Sequence, residues 1–239
     1  MNFFNEYTSK YDLNAYKLSY KYYHSIRVMD NMEILAKSMS LPFKDIELAK
    51  CIGLLHDIGR FEQYKRYKSF DDFNLDHGDY GEEVLRNTNA LNNYDIDKSD
   101  YEVVYKAIRN HNKFEIEPKL TNRELLFSKM IRDADKLDIL YAFGNKEIRK
   151  VFEEDDSDIS KEVSATFYQN KIIKRTKEST LSDDKVMLFA FAYDINFKTS
   201  LEIIKSKEYF NKLYERLKNK EKYKPYIEYI NNYINERTD

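Results

Sequence analysis

The chain has 239 residues with only 5 glycines and 3 prolines, where the two together average about 12% of a protein. An all-β sandwich or barrel spends those residues on its many turns and is nearly excluded; no GxGxxG or P-loop string is present, so a glycine-rich phosphate loop is excluded too. Its 40 basic and 42 acidic residues leave a net charge of −2, which disfavours a protein that binds duplex nucleic acid or a polybasic binder of membranes.

Helical periodicity dominates from the start. Tyr20, His24, Val28, Met32, Leu35 and Met39 follow one another in steps of 3 or 4, one face of a helix that Leu41-Pro42 ends. Pro42 suits the first turn of the next helix, with Asp45 in that turn. Ile46–Leu55 is apolar on almost every side and reads as a central buried helix stopping at His56-Asp57-Ile58-Gly59. Residues 60–76 show poor periodicity and are expected to form a loop. A short helix is expected over Gly78–Arg86, then one over Tyr101–Arg109 with Ser99 as N-cap. Thr121 and Glu124 make a capping box for a long helix through Phe143, which Gly144 stops. The acidic run Glu153–Asp158 reads as a solvated loop. Three or four further helices follow, including Asp183–Phe197 and Ser206–Lys218.

No strand pattern or internal repeat is visible. The longest unbroken apolar run, Val186–Tyr193, is far short of the ~20 residues a membrane helix needs, and the N-terminus lacks the basic start and apolar core of a signal peptide. Cys51 is the only cysteine, so no intramolecular disulfide can form, which fits a reducing cytoplasm. The expectation is an all-α protein: a compact helical bundle over 1–150 and a C-terminal helical extension over 151–239 packed on it.

Four histidines are present: His24, His56, His77 and His111. Singly, each has an ordinary reading as a hydrogen-bonded core residue. Together they sit beside apolar helix faces with acids interleaved: Asp57 after His56, Asp76 before His77, and Asp133 and Asp135 inside a core-like helix. A carboxylate in a helical core is costly unless paired or bound to metal, so the set points to a metal cluster.

The order His24 … His56-Asp57 … Asp135 resembles the HD-domain superfamily of metal-dependent phosphohydrolases. Leu54-Leu55-His56-Asp57-Ile58-Gly59-Arg60 is similar to its apolar-HDIG segment and Ala134-Asp135-Lys136-Leu137-Asp138 to its closing ADxxD. His77 and His111 fall where the two-metal branch carries two more. The resemblance spans about 20–145. It implies a helical bundle in which His24, His56, Asp57 and Asp135 hold one ion, and Asp57 bridges to a second held by His77 and His111. Asp133 and Asp135 lie about 200° apart around a helix, so both cannot face the ions; the ADxxD phase favours Asp135. Asp138 shares its face and can orient a ligand histidine or the water. Mixed nitrogen and oxygen donors suit Mn²⁺, Fe²⁺, Co²⁺ or Ni²⁺, with Zn²⁺ and Mg²⁺ also admitted.

Two ions roughly 3.5–4 Å apart generate a bridging hydroxide at neutral pH and neutralise phosphoryl charge, with no serine or cysteine nucleophile needed. Cys51 then reads as packing and Asp57 as the central catalytic residue. Cations must also meet the phosphate. Arg60 is the first candidate for catalysis and substrate binding, followed by Lys113, Arg27 and Lys136. The loop 60–76, with Tyr64, Lys65, Arg66, Tyr67 and Lys68, can close over a phosphorylated ligand and stack on a base. The expected substrate is a small phosphate ester or anhydride, a nucleotide foremost. Arg60-Phe61-Glu62 stands where cyclic-dinucleotide members carry GYP, which counts against that substrate. Two rivals share the ligand set or the fold: a di-iron oxygenase and a non-catalytic nucleotide-binding sensor.

Overall fold

The computed structural model describes residues 1–145 and 157–239, and these residues contain helices and turns but no strand. In chain order the α-helices are α1 (Asn2–Thr8), α2 (Tyr16–Ser38), α3 (Phe43–Leu55), α4 (Ile58–Tyr67), α5 (His77–Asn87), α6 (Tyr101–Asn110), α7 (Asn122–Gly144), α8 (Lys161–Tyr168), α9 (Leu181–Ala190), α10 (Lys198–Ser206), α11 (Tyr209–Arg216) and α12 (Lys220–Thr238). The all-α expectation is met. No helix among the described residues is long and apolar enough to cross a membrane.

The chain divides into two compact units, Met1–Asp135 and Lys136–Asp239, the division falling inside α7. The boundary expected at 150/151 lies outside the described residues, as does most of the acidic run Glu153–Asp158.

In the first unit, α2 buries His24, Val28, Met32 and Leu35, as its apolar stripe requires, and α3 is buried without a break from Cys51 to Leu55. Two glycines allow the helices to close on one another. A Cβ on Gly53 would stand 2.8 Å from Met29 Cα, so α3 can lie against the α2 backbone only without one. A Cβ on Gly59 would stand 2.3 Å from the His77 carbonyl oxygen, which ties the start of α4 to the start of α5.

Four expectations are corrected. Residues 60–76 are not one loop: α4 runs to Tyr67 and ends at Lys68, which adopts a left-handed conformation. Its inward face is Ile58, Phe61 and Gln63, and the polar Gln63 hides the period from an apolar count. Tyr64, Lys65, Arg66 and Tyr67 are therefore helical, and Glu62 pairs with Arg66 one turn on; only 68–76 is a connection. Ser99 does not cap α6: it lies in a 3₁₀ turn, Lys98–Asp100, and Asp100 is the N-cap while its carboxylate accepts from Arg123. In the second unit, Asp183–Phe197 is α9 followed by a 3₁₀ turn at Phe191–Asp194, and Ser206–Lys218 is split between the end of α10 and α11 by Glu208 at φ 53°. The capping box at Thr121 and Glu124 forms as expected, each side chain meeting the other's backbone N–H.

The second unit has its own core, in which Phe167, Phe189, Phe210, Leu213, Tyr223 and Ile230 are wholly enclosed.

Candidate metal centre

Four of the six expected ligands stand at helix ends. His56 follows the last residue of α3, Asp57 is the N-cap of α4, His77 opens α5 and His111 follows α6. His24 lies within α2 and Asp135 within α7. Helix ends aim side chains along helix axes, which lets four helices reach one centre without their backbones colliding.

The structure brings all six together. Asp57 Oδ2 lies 3.4 Å from His24 Nε2 and 3.5 Å from His56 Nε2, and Asp135 Oδ1 lies 3.1 and 3.7 Å from the same two nitrogens. The other oxygen of Asp57, Oδ1, lies 3.2 Å from His77 Nε2 and 3.6 Å from His111 Nε2. The imidazole nitrogens also face one another, at 3.2 Å between His24 and His56 and 2.9 Å between His77 and His111. His24, His56 and Asp135 form one group able to hold a metal ion, and His56, Asp57 and His111 another.

The hydrogen bonds of the far ring nitrogens fix what those Nε2 atoms are. His56 Nδ1 donates to the Gly53 carbonyl at 2.7 Å and His111 Nδ1 to that of Ile108 at 2.6 Å. His77 Nδ1 donates to Asp72 Oδ1 at 2.7 Å. A neutral ring that donates from Nδ1 carries a lone pair at Nε2. With His56, His77 and His111 neutral, their Nε2 lone pairs face one another and the Asp57 carboxylate, an arrangement that a cation standing between them relieves. The donor set fits divalent cations on this ground.

Electrostatics keep the groups in ligand form. Burial pushes the His111 imidazole down to about 4, with His77 and His56 pushing the same way against the Asp57 carboxylate. Burial opposes ionisation of Asp57, but Lys21, His56, His111 and His24 hold its carboxyl well below the usual carboxylate range. Asp135 is held down in the same sense by His24 and His56.

The two carboxylates of α7 separate as helical phase requires: Asp135 meets the histidines, while Asp133 is wholly buried. The carboxylate turned from the ions is expected to be solvent-facing or salt-bridged, and Asp133 is not solvent-facing. Asp138 is buried too, and its charge adds to burial in raising the Tyr209 phenol.

The four cations named from sequence are placed unequally. Arg60 Nε lies 3.6 Å from Asp57 Oδ1, but its NH1 donates to Gln63 Oε1, the Phe70 carbonyl and Asp72 Oδ1. Lys113 is paired with Asp76 at 2.6 Å and Asp79 at 2.8 Å. Arg27 lies over the Tyr20 ring. Lys136 is paired with Asp194 at 2.6 Å within the second unit.

Two residues were missed. Lys21 Nζ lies 2.6 Å from Asp57 Oδ2 and is only 13% exposed; its one signal is its place three residues before His24, the same helix face. Buried Arg132 donates to the carbonyls of Asn110, Lys113 and Phe114, pinning the segment that carries His111.

A helical unit whose helix ends deliver His and Asp donors to one centre has the build of a metal-binding domain. Residues 22–140 match the model of the HD domain family, so this stretch is an HD domain. The match points to metal-dependent phosphohydrolase activity in general. No curated protein and no solved structure gives a match.

Proposed function

We propose that the chain is a hydrolase of a small phosphate ester or anhydride, a nucleotide foremost, and that it works with two divalent cations. The observation that carries this reading is the division of ligands between the two oxygens of Asp57: Oδ2 faces His24 and His56, and Oδ1 faces His77 and His111. Bound there, such cations supply a water of lowered pKa and offset charge on phosphoryl oxygens. Asp57 holds both halves of the site in register, and Asp135 completes the half formed by His24 and His56. Lys21 and Arg60, the cations beside the Asp57 carboxylate, orient the phosphate from the α2 and α4 sides. The buried thiol of Cys51 is pushed up to about 12 by its burial, so it offers no thiolate nucleophile at neutral pH.

The test is phosphate release from nucleoside mono-, di- and triphosphates and cyclic nucleotides with Mn²⁺, in air and under strict anaerobiosis. Turnover of at least one of these at equal rates in both atmospheres, abolished by EDTA and restored by Mn²⁺, is expected. Turnover that requires O₂ would replace this reading with the oxygenase one, and release from none of them would refute it.

A further inference from the structure

Three of the four histidines show how their lone pairs are aimed, and one does it differently. His56 and His111 donate Nδ1–H to backbone carbonyls three residues back, Gly53 and Ile108. Those contacts come with the helices and are neutral. His77 opens its helix and has no such carbonyl behind it; its Nδ1 donates instead to the Asp72 carboxylate, on the connection between α4 and α5.

Asp72 is not there by chance of a surface loop. Its Oδ1 also accepts from Arg60 NH1 at 3.0 Å and from Gln63 Nε2 at 2.9 Å. The same two side chains of α4 grip the backbone on either side: Arg60 NH1 donates to the Phe70 carbonyl, and Gln63 Nε2 to that of Leu75 at 2.7 Å. Gln63 is wholly buried. The α4 helix thus carries a built receptor whose effect is to deliver one carboxylate to one imidazole. Asn112 Nδ2 lies 3.3 Å from the same His77 nitrogen, but that amide donates to Asp76 Oδ1 at 3.0 Å, so the Nδ1 proton goes to Asp72.

We infer that Asp72 is a positioning residue for the half of the metal centre formed by His77, His111 and Asp57 Oδ1, setting its cation affinity through His77. The inference rests on the two-cation reading above. A carboxylate partner fixes the tautomer and raises the basicity of the ligating nitrogen more than a carbonyl does, and loss of such a partner typically costs about 10–100-fold in metal affinity. Two consequences follow from the geometry. The His24–His56–Asp135 half has no contact with Asp72 among the bonds described, so its affinity is independent of the loop. Any ligand group that draws Arg60 away from Asp72 loosens the second half, which links the 68–76 connection to cation retention.

The experiment is Mn²⁺ binding to the full chain by calorimetry, with the apo-protein melting temperature alongside, for the wild type, Asp72→Asn and Asp71→Asn. Asparagine keeps the shape and the acceptor oxygen of Asp72 and loses its charge, so a merely loop-holding role is rescued by it. Asp71 is an exposed neighbour whose carboxylate accepts only from the Phe73 N–H among the bonds described, so its replacement removes the same charge without touching His77. Expected are two sites in the wild type, one weakened about 10–100-fold in Asp72→Asn, the other unchanged, and both unchanged in Asp71→Asn, while the apo melting temperature reports separately what the fold loses with the Asp72 charge. Two sites of wild-type affinity in Asp72→Asn would overturn the role of Asp72 while leaving the two-cation reading intact. Equal losses in both variants would also overturn it, as a general charge effect. Fewer than two sites in the wild type would overturn the two-cation reading first, and the inference with it.

Discussion

Both units of the chain bury polar side chains, and they bury them in opposite ways. In Lys136–Asp239 the network around Asp183 and Ser182 matches donors to acceptors. Asp183 accepts from the Ser160 and Thr180 N–H groups, and Ser182 Oγ accepts from Lys222 Nζ at 2.8 Å and Tyr223 OH at 3.0 Å. In Met1–Asp135 one buried cluster instead brings ring nitrogens and carboxylate oxygens against one another: the Nε2 atoms of His77 and His111 at 2.9 Å, and both oxygens of Asp57 against imidazoles. All four histidines of the chain lie in this first unit. A matched network needs nothing further and serves packing. A surplus of aligned acceptors is self-repelling and marks where a cation belongs.

The sharpest break between the units is Asp57→Ala. It removes the carboxylate whose two oxygens face the two histidine pairs, so kcat/KM should fall by about 10³-fold or more, measured as phosphate release. An active Asp57→Ala enzyme would put the first unit's network in the same class as the second's.

The pH dependence of the apo-protein separates them next. The folded His111 titrates near 4 and an unfolded histidine near 6.5. As pH falls, the unfolded chain takes the proton first, so stability is full above about 6.5 and is lost between there and about 4, by on the order of 3 kcal/mol. The depressed Asp57 and Asp135 carboxyls act in the same direction, but only below the ordinary carboxylate range. Urea midpoints in EDTA at pH 7 and 4.5 read this loss, and His111→Gln should flatten it. A wild-type curve already flat over that window would contradict the placement of His111.

Within α7, Asp135→Asn should weaken cation binding and activity at least tenfold, since its carboxylate faces two imidazoles. Asp133→Asn should instead lower the melting temperature and leave cation affinity near the wild type, because Asp133 is buried on the other side of the helix. The reverse order would show the wrong carboxylate in the site.

The smallest effect belongs to the second unit. Ser182→Ala leaves the Lys222 and Tyr223 donors short of an acceptor and should cost about 1–3 kcal/mol in chemical denaturation, with kcat/KM unchanged. A loss of activity larger than the loss of folded protein would mean that the unit is not merely a packed scaffold.

The cluster of candidate ligands was legible in the sequence because its members lie where pattern and rarity coincide. His24 falls on the apolar stripe of α2, His56-Asp57 ends the most apolar helix, and helical phase parts Asp133 from Asp135 while the likeness of Ala134–Asp138 to the ADxxD string favours Asp135. What supports them was not. Gln63 is polar at an inward position, so an apolar count breaks at α4 and the helix is missed, although Gln63 is inward for the very reason that it must bond the connection that follows. Lys21 looks like a surface charge one turn before His24, since a long flexible side chain says nothing of where its ammonium rests. Asp72 comes from a segment with no period, and only the folded path of 68–76 brings its carboxylate to His77.

The central claim is that the converging acceptors of the first unit hold two cations. The most direct measurement is the number of divalent ions bound per folded chain, by elemental analysis after dialysis with Mn²⁺, for the wild type, His77→Ala and His111→Ala. The account predicts two ions in the wild type and one in each variant, with the His24–His56–Asp135 half still filled. Two ions retained by both variants, or fewer than two in the wild type, would contradict it.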